Sequence, residues 1–264
     1  MKKIVFIFLV FSFIVSDLFA EDIKPFRIGA GLGVSFGGYR EETDSAINRY
    51  YTNLSLMLDA NMEFGKFLHT FNLGFNTGED RVAKKFEDKY DYWWKYRSYR
   101  GYFEYALDYR LWNLSGNGSL PGFLGGAFRT DFYLTETIEI AKYFAILSLG
   151  VHTTQRWIIN PKHSLSFSAT VPVLGYALRS PYSGTDAVID IYFIEGAPLK
   201  ILTDGYFASL HNYWALFTDL KYHFQFNPLF SLNAGLDFEL SRINIPAPRI
   251  DAVTRLKAGV AFTF

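Results

Sequence analysis

The sequence predicts an all-β protein, an antiparallel up-and-down transmembrane β-barrel of about ten strands. Three observations support this prediction. Apolar side chains alternate with polar or small ones along many segments, which is the two-residue period of a strand. Hydrophobic residues make up 50% of the chain and aromatic residues 19%, yet no block beyond the N-terminal region is long enough to span a bilayer as a helix. Aromatic residues also gather at both ends of the apolar faces.

The N-terminal residues have the pattern of a secretory signal peptide. Lys2 and Lys3 precede an apolar run, and the small residue Ala20 comes just before polar residues. The apolar run holds about a dozen residues, whereas a membrane-spanning helix needs roughly 20. We therefore expect a signal peptide at 1–20, followed by a single barrel domain at 21–264.

The composition excludes several classes of protein and site. The chain has no cysteine, which excludes a lipid-anchored lipoprotein and a disulfide scaffold. Lys and Arg number 26, and Asp and Glu also number 26, so no net charge favours a nucleic-acid partner. The segment 29–33 reads GAGLG and superficially resembles a dinucleotide-binding loop, but no helix follows it. No cluster has metal-ligand spacing, and we expect no cofactor.

The individual strands are predicted from the alternation. In 26–36 the even positions are apolar, while the odd positions hold Arg27 and small residues. The segment 49–64 repeats this pattern, and a tight turn at Gly65 joins it to a third strand at 67–77. The same pattern predicts the remaining strands at 94–111, 122–134, 143–158, 163–179, 208–226, 230–242 and 253–264.

The predicted connections fall into two groups by length. Connections of the first group are mostly short and lie at 65–66, 111–121, 159–162 and 227–229. Those of the second group alternate with them along the chain and are long, at 37–48, 78–93, 180–207 and 243–252. The connection at 135–142 also belongs to the second group but is an exception, because it is short. We expect the two groups at opposite ends of the barrel. Pro172 lies inside a predicted strand. Because proline has no amide hydrogen and a closed barrel has no edge, we predict a bulge or local break between Val171 and Gly175.

Alternating strands also suit a water-soluble β-sandwich, in which the apolar faces meet in a core. Two features favour the barrel. Several predicted strands exceed the roughly five or six residues usual in soluble proteins and reach the roughly 9 to 11 that a bilayer requires. The apolar faces also end in aromatic residues, at Phe26, Phe64, Phe67, Tyr109, Trp157, Phe226, Phe230 and Phe264 on the short-turn side and at Phe36, Tyr50, Phe75, Tyr99 and Trp214 on the other.

The final segment, RLKAGVAFTF, adds a resemblance to a known group. Apolar residues alternate and the chain ends in an aromatic ring, at Leu256, Ala258, Val260, Phe262 and Phe264. This pattern resembles the last strand of bacterial outer-membrane β-barrels. The barrel-assembly machinery reads the motif in that group, which implies an assembly signal here at Val260, Phe262 and Phe264.

The resemblance has further implications for location and partners. It implies export to the bacterial outer membrane, both termini in the periplasm, and contact with outer-membrane lipid and lipopolysaccharide. A closed barrel leaves no bare edge in lipid, so the last strand is expected to pair with 26–36.

The inward-facing positions are rich in charge of both signs. Lumen charges are predicted at Arg49, Asp59, Arg100, Glu104, Asp108, Arg129, Asp131, Arg156, Asp219, Lys221, Asp237, Glu239 and Lys257. Hairpin geometry brings Glu104 near Arg129, and Asp237 or Glu239 near Lys257. Buried charges are normally paired, so one interpretation is an ion-pair network that fills a small lumen. A narrow polar pore lined by the same residues is the other.

Small residues line the inner face where the first and last strands meet. They lie at Gly29, Gly31, Gly33, Ser35, Gly37, Gly259 and Ala261. Glycine at such positions suits the sharp curvature of a small barrel. It also leaves space for water or for large opposing side chains such as Arg100 and Tyr102.

Function on such a scaffold is expected in the external loops. The segment 181–205 is the longest and is unusually apolar, so we expect it to cap the lumen, with a binding surface or plug as the alternative. The loop at 78–93 supplies cations that suit lipopolysaccharide phosphates. The binding candidates are Arg81, Lys84, Lys85, Tyr182, Tyr192, Phe193 and His211.

Catalysis has little support in the sequence. His152, His211 and His223 share the inward parity, while His69 and His163 are expected to face lipid. Outer-membrane proteases use His and acidic residues at a barrel rim, but their sequence pattern is absent here, as are a Gly-x-Ser-x-Gly elbow and phospholipase motifs. We expect no enzyme and favour a structural or surface-binding role. The alternatives are a narrow porin-like channel or passive uptake protein, and a membrane-embedded hydrolase.

Overall fold

The computed structural model describes residues 26–41, 45–82, 96–115, 119–136, 141–179, 205–245 and 247–264. In these ranges, no helix has the length and hydropathy needed to cross a membrane. All the regular structure described is β-strand. The strands are β1 Arg27–Glu41, β2 Ser45–Phe64, β3 Phe67–Val82, β4 Tyr96–Ser115, β5 Ser119–Glu136, β6 Ala141–Asn160, β7 His163–Arg179, β8 Tyr206–Ser209, β9 Tyr213–Asn227, β10 Phe230–Ile243 and β11 Arg249–Thr263.

The strands form one closed antiparallel sheet. Each strand from β1 to β7 pairs with the next one, β9 pairs with β10, and β10 pairs with β11. The short β8 and the longer β9 share one position in the barrel, because both pair with β7, at Leu174–Ala177 and at His163–Thr170 respectively. The result is a ten-strand barrel, and the predicted fold class is confirmed.

Pairing of the first and last strands closes the barrel. Arg27 lies opposite Thr263, and Gly31 lies opposite Gly259. The amide of Phe264 also donates to the Phe26 carbonyl at 2.8 Å. The predicted partnership between the last strand and 26–36 is therefore confirmed.

Pro172 produces the predicted bulge. Leu149 on β6 pairs with Leu174, but the next residue, Gly150, pairs with Pro172, which leaves Val173 as the extra residue. On the other side of β7, the ladder stops at Thr170 and resumes at Leu174. Because proline lacks an amide hydrogen, the irregularity lies where a ladder bond could not form.

The strand position next to β7 is also interrupted. The prediction of one continuous strand at 208–226 was therefore wrong. A turn at 210–212 separates β8 from β9. Asn212 stabilises this turn, since its Oδ1 accepts from the amide of Ser209 at 2.8 Å and its Nδ2 donates to the Phe207 carbonyl at 3.2 Å.

The strands run further than predicted at several connections. The loop predicted at 37–48 is mostly strand, since β1 ends at Glu41 and β2 begins at Ser45. The loop predicted at 243–252 shrinks to 244–248. Within the connection predicted at 111–121, β4 continues to Ser115 and β5 begins at Ser119. In these extensions the alternation is less regular, since consecutive Leu111 and Trp112 are both exposed and Gly37 is followed by another glycine.

The positions of apolar and charged side chains are the reverse of those in a soluble protein. Leu54 is 71% exposed and Leu32 is 66% exposed on the outer face, whereas Arg49 is 2% and Asp108 is 0% exposed inside. The outer apolar surface is continuous around the barrel, which is the arrangement of a strand face in contact with lipid. Aromatic pairs border it at the end with the turns 65–66, 161–162 and 228–229, named the turn end below, at Phe26–Phe264, Phe67–Tyr109 and Phe230–Phe262.

Candidate functional site

The charged lumen is the candidate site, because it holds almost all of the buried ionisable side chains that the structure describes. Strand alternation aims these side chains inward from every part of the sheet. Cations and carboxylates are matched in number in the described lumen, which is therefore neutral overall. The cations are Arg27, Arg49, Arg100, Arg110, Arg129, Arg156, Lys221, Arg249, Arg255 and Lys257, and the carboxylates are Asp59, Glu63, Asp80, Glu104, Asp108, Asp131, Asp219, Asp237, Glu239 and Asp251.

Arg129 lies at the centre of the network. Its Nε and Nη2 donate to Asp131 at 3.0 and 2.7 Å, and Nη2 also reaches Glu239 at 2.5 Å. Its Nη1 lies 3.6 Å from Glu104, so the predicted Glu104–Arg129 pair is present. The guanidinium carbon lies 4.5 Å from the centroid of Tyr102 and 3.7 Å from that of Phe217. This cation thus has carboxylates at its edge and aromatic rings on its faces, a geometry that suits guanidinium.

Glu239 joins Arg129 to a second arginine. Nη1 and Nη2 of Arg255 donate to its two oxygens at 2.6 and 2.7 Å, which is a bidentate fork. Because Glu239 and Arg255 lie on β10 and β11 while Arg129 lies on β5, this chain of contacts crosses the inside of the barrel.

Two lysines form a second layer nearer the turn end. Lys257 contacts Asp237, one of the two acids predicted near it, and lies 2.9 Å from Asp219. Lys221 lies 3.3 Å from Asp219 and 3.7 Å from Asp59 on the facing wall. These carboxylates are shared between cations, so neither lysine is left without compensating charge.

A third layer, at the end of the barrel opposite the turns, combines arginines with tyrosines. Arg100 Nη1 lies 2.8 Å from Asp251, and Arg249 Nη2 lies 3.0 Å from the same carboxylate. The Arg100 guanidinium lies 3.7 Å from the centroid of Tyr51 and 4.2 Å from that of Tyr133. Sequence reasoning missed Arg249 and Asp251 because it assigned 243–252 to a loop; an extension of the β11 parity by two steps would have found them.

A fourth group lies at the turn end. Glu63 contacts Arg110 and lies 3.3 Å from Arg156 Nη1. Arg27 Nη2 lies 2.5 Å from His223 Nδ1 and also contacts Asn233. The inward position predicted for His223 is present, but its contact with the first strand depends on barrel closure.

His152 forms a buried pair with Asp108. Its Nδ1 lies 2.6 Å from Asp108 Oδ2, and both side chains are at most 1% exposed. Thr154 donates to the same oxygen at 3.4 Å. An Asp–His pair of this kind occurs in hydrolases, but here both side chains are packed out of reach of a substrate. His152 Nε2 and Asp108 Oδ1 are buried without a hydrogen-bond partner among the described residues.

The line along which β1 and β11 meet is called the seam below. Glycines on its inner face lie in close contact with neighbouring strands or side chains. A Cβ on Gly33 would lie 2.3 Å from the Leu256 carbonyl oxygen, and one on Gly37 would lie 2.3 Å from the Tyr51 ring. Tyr102 lies over Gly74 on β3, where a Cβ would be 2.2 Å from its ring. Glycine therefore allows both close approach of strands and seating of large rings against the wall.

Comparisons with known proteins agree on the architecture. No protein-family model matches the chain, and no curated protein matches it in sequence. The outer-membrane protease OmpT from Escherichia coli superposes with a TM-score of 0.54 at 8% identity, over 94% of this chain and 100% of that one. The chain has an outer-membrane β-barrel fold. At this identity the likeness shows the fold alone.

Two further outer-membrane barrels are similar at lower scores. The transport unit of the autotransporter AIDA-I from Escherichia coli has a TM-score of 0.45 at 6% identity, over 93% of this chain and 92% of that one. Neisserial surface protein A has a TM-score of 0.40 at 9% identity, over 92% and 100%.

The predicted binding residues are scattered where the structure describes them. Arg81 is exposed near the end of β3, 3.8 Å from Glu79. His211 was predicted to face inward, but the turn at 210–212 breaks the parity, and the side chain is exposed with Nδ1 2.5 Å from the Ser209 hydroxyl. Lys84, Lys85, Tyr182, Tyr192 and Phe193 lie outside the described residues.

The remaining predicted positions lie on the outer face. His69 contacts Tyr105 at 3.0 Å and His163 contacts Tyr222, both on the outside of the barrel. Phe262 is 50% and Phe264 is 75% exposed, on the same face as Val260. Among the described residues, no group of three or more His, Cys, Asp or Glu side chains could hold a metal ion.

Proposed function

We propose that the protein is an integral barrel of the bacterial outer membrane with a filled lumen, and that it acts in a structural or surface-binding role through its long connections. The continuous apolar outer face supports the membrane location. The proposed route is export by the segment 1–20 and recognition of Val260, Phe262 and Phe264 by the barrel-assembly machinery.

One observation carries the filled-lumen proposal, namely the contact across the lumen from Arg129 on β5 to Glu239 on β10. The side chains that form it are almost entirely removed from solvent, at 5% and 13% exposure. The rings of Tyr102 and Phe217 also pack against the same guanidinium. A solute on the barrel axis would have to separate this cluster, which breaks several charge-assisted hydrogen bonds at once.

Contacts at other heights reinforce this blockage. Arg100 on β4 meets Asp251 on β11, and Arg156 on β6 meets Glu63 on β2. Lys221 on β9 approaches Asp59 on β2. Each pair joins strands that are far apart around the barrel, so side chains cross the lumen in successive layers. Barrels of about eight strands are generally filled in this way.

The external connections then remain as the sites of interaction. Arg81, Lys84 and Lys85 are proposed to meet lipopolysaccharide phosphates, which guanidinium and ammonium groups bind by charge-assisted hydrogen bonds. Tyr182, Tyr192, Phe193 and His211 are proposed as contacts for an extracellular ligand.

A narrow channel is the second candidate. It is favoured by polar cavities on both sides of the Arg129 cluster, of about 270 Å³ at the turn end and about 60 Å³ towards the other end. Movement of one ion-pair layer would connect them. A hydrolase is the least supported candidate, because the buried Asp108–His152 pair is closed to substrate and His211 contacts only Ser209 and solvent in the described part of the chain.

Planar-bilayer recordings of the refolded protein test the filled lumen. We expect no discrete conductance steps from the wild type. Removing two crossing side chains, in the double variant Arg100→Ala with Arg129→Ala, should produce them, whereas Arg242→Ala on the outer face should not. Discrete steps from the wild-type protein would instead support the channel.

A further inference from the structure

The turn-end cavity has the features of a ligand site. Its volume is about 270 Å³, and its wall includes Arg27, Arg156, Ser166, Lys221 and His223. A water molecule occupies roughly 30 Å³ in the liquid, so the space exceeds what a single bound water requires. The Arg156 side chain keeps 27% of its exposure, which shows that solvent reaches this part of the lumen.

The carboxylates of the wall already have cationic partners. Glu63 is shared between Arg110 and Arg156, and Asp219 is shared between Lys221 and Lys257. Each of these acids thus compensates two cations. None of them is available to neutralise a further guanidinium.

Arg27 has no such direct partner. The carboxylate that acts on it electrostatically, Asp59, lies beyond 4 Å and is shared with Lys221 and Lys257. In the described part of the chain no carboxylate lies within 4 Å of it, and its Nη2 contacts only the neutral groups of His223 and Asn233. Its Nε is buried and has no hydrogen-bond partner among the described residues. A buried guanidinium donor without an acceptor is costly unless an anion or ordered water completes it.

The rest of the wall supplies neutral donors. β7 contributes Ser164, Ser166 and Ser168, a run of inward-facing hydroxyls beside the two arginines. Hydroxyl and guanidinium groups together are the usual ligands of tetrahedral oxyanions, since guanidinium presents a planar fork and hydroxyls adjust to the remaining oxygens.

We propose that this cavity binds a small oxyanion of the phosphate class, with Arg27 and Arg156 as its cationic ligands and the β7 serines as hydrogen-bond donors. The site is distinct from the loop surfaces and from the sealed Arg129 cluster. Phosphate chemistry has two sources at a membrane, free phosphate and a phospholipid head group. A site enclosed by the strands selects the free ion, because a lipid head group stays attached to chains outside the barrel.

Calorimetric titration of the refolded full chain with inorganic phosphate tests the site, in an uncharged detergent and low salt. We expect saturable binding that weakens as salt is added. Arg27→Gln should weaken it about tenfold or more, because a hydrogen bond to a charged group is lost. Arg27→Lys should retain part of the affinity. Arg242→Gln, an arginine on the outer face, is the matched control and should bind like the wild type.

Circular dichroism of each variant verifies that the barrel has formed, so that only folded samples are compared. If Arg27→Gln does not fold, Arg27→Lys and Ser166→Ala provide the same comparison. Phosphatidylglycerol added to the phosphate-loaded protein is the second arm and should not displace the bound phosphate. No saturable phosphate binding by the wild type, equal binding by the folded Arg27 variants, or displacement by the lipid would each overturn the proposal.

Discussion

Arg129 and Glu239 face each other across the inside of the barrel, with 2.5 Å between the guanidinium Nη2 and the carboxylate Oε1. They come from β5 and β10, 110 residues apart in the sequence. Arg129 also contacts Asp131 and Glu104, so one cation compensates several acids.

We expect Arg129→Ala to be strongly destabilising, because it leaves buried carboxylates without their cation. Removal of one member of a buried ion pair costs about 3–5 kcal/mol. Urea titration of the protein refolded in lipid vesicles, followed by tryptophan fluorescence, measures the change in the free energy of unfolding. Arg242→Ala is the control, since Arg242 is exposed and bonded to Asn244, and it should change stability by about 0.5 kcal/mol or less. Equal stability of the two variants would contradict the buried network.

The outer face predicts a position-dependent response to charge. Leu56 lies midway along β2 between Phe64 at the turn end and Tyr50 at the other end, and it is 57% exposed. Leu56→Arg should destabilise the inserted barrel by about 2–4 kcal/mol, whereas Thr52→Arg, near the end of the same face, should cost about 0–1 kcal/mol. Vesicle refolding titrations measure both. A soluble sandwich would tolerate arginine equally at the two exposed positions.

The seam between β1 and β11 predicts that a single methyl group is harmful. A Cβ at Gly33 would lie 2.3 Å from the Leu256 carbonyl oxygen, so Gly33→Ala requires the strands to separate. We expect a loss of about 1–3 kcal/mol in the free energy of unfolding. Gly126→Ala is the matched control, because its nearest neighbour would be 3.6 Å away. A Gly33→Ala barrel as stable as the Gly126→Ala barrel would show that the seam has room to relax.

The terminal phenylalanine predicts a defect in assembly rather than export. Phe264 is 75% exposed on the outer face, with its ring centroid 6.5 Å from that of Phe26. Deletion of Phe264 should lower the amount of folded barrel in the outer membrane while signal-peptide removal continues. Cell fractionation with heat-modifiable gel mobility measures both quantities, and Phe264→Tyr should assemble normally. Undiminished barrel levels after the deletion would refute the assembly signal.

The parts of the structure that follow local rules could be predicted from the sequence. Alternation at 26–36 and in the final strand identified the two closing strands, and the missing amide of Pro172 located the bulge. Contacts such as Arg100 with Asp251 could not be predicted in this way. They depend on which strands face each other once the sheet has curved and closed. The periodicity of hydrophobic residues along a strand does not show which distant strand lies opposite.

The candidate site shows the same limit. Inward parity identified most of its charged residues, but Asp80 and Asp251 lie beyond the strand bounds predicted at 67–77 and 253–264. The prediction that His211 faces inward was wrong for the opposite reason. Parity assumes an unbroken strand, and the turn at 210–212 that faces the Pro172 bulge resets the phase between β8 and β9.

The contact between β5 and β10 also couples the middle of the chain to its C-terminal strands during insertion. A partial barrel that lacks β10 leaves Arg129 without Glu239, and it also leaves ladder groups unpaired at two edges in lipid. Both penalties are removed in the same step, when β10 and β11 are added and β11 pairs with β1. The ionic interior thus disfavours incomplete barrels, and insertion should proceed as one cooperative closure rather than by accumulation of stable half-formed sheets.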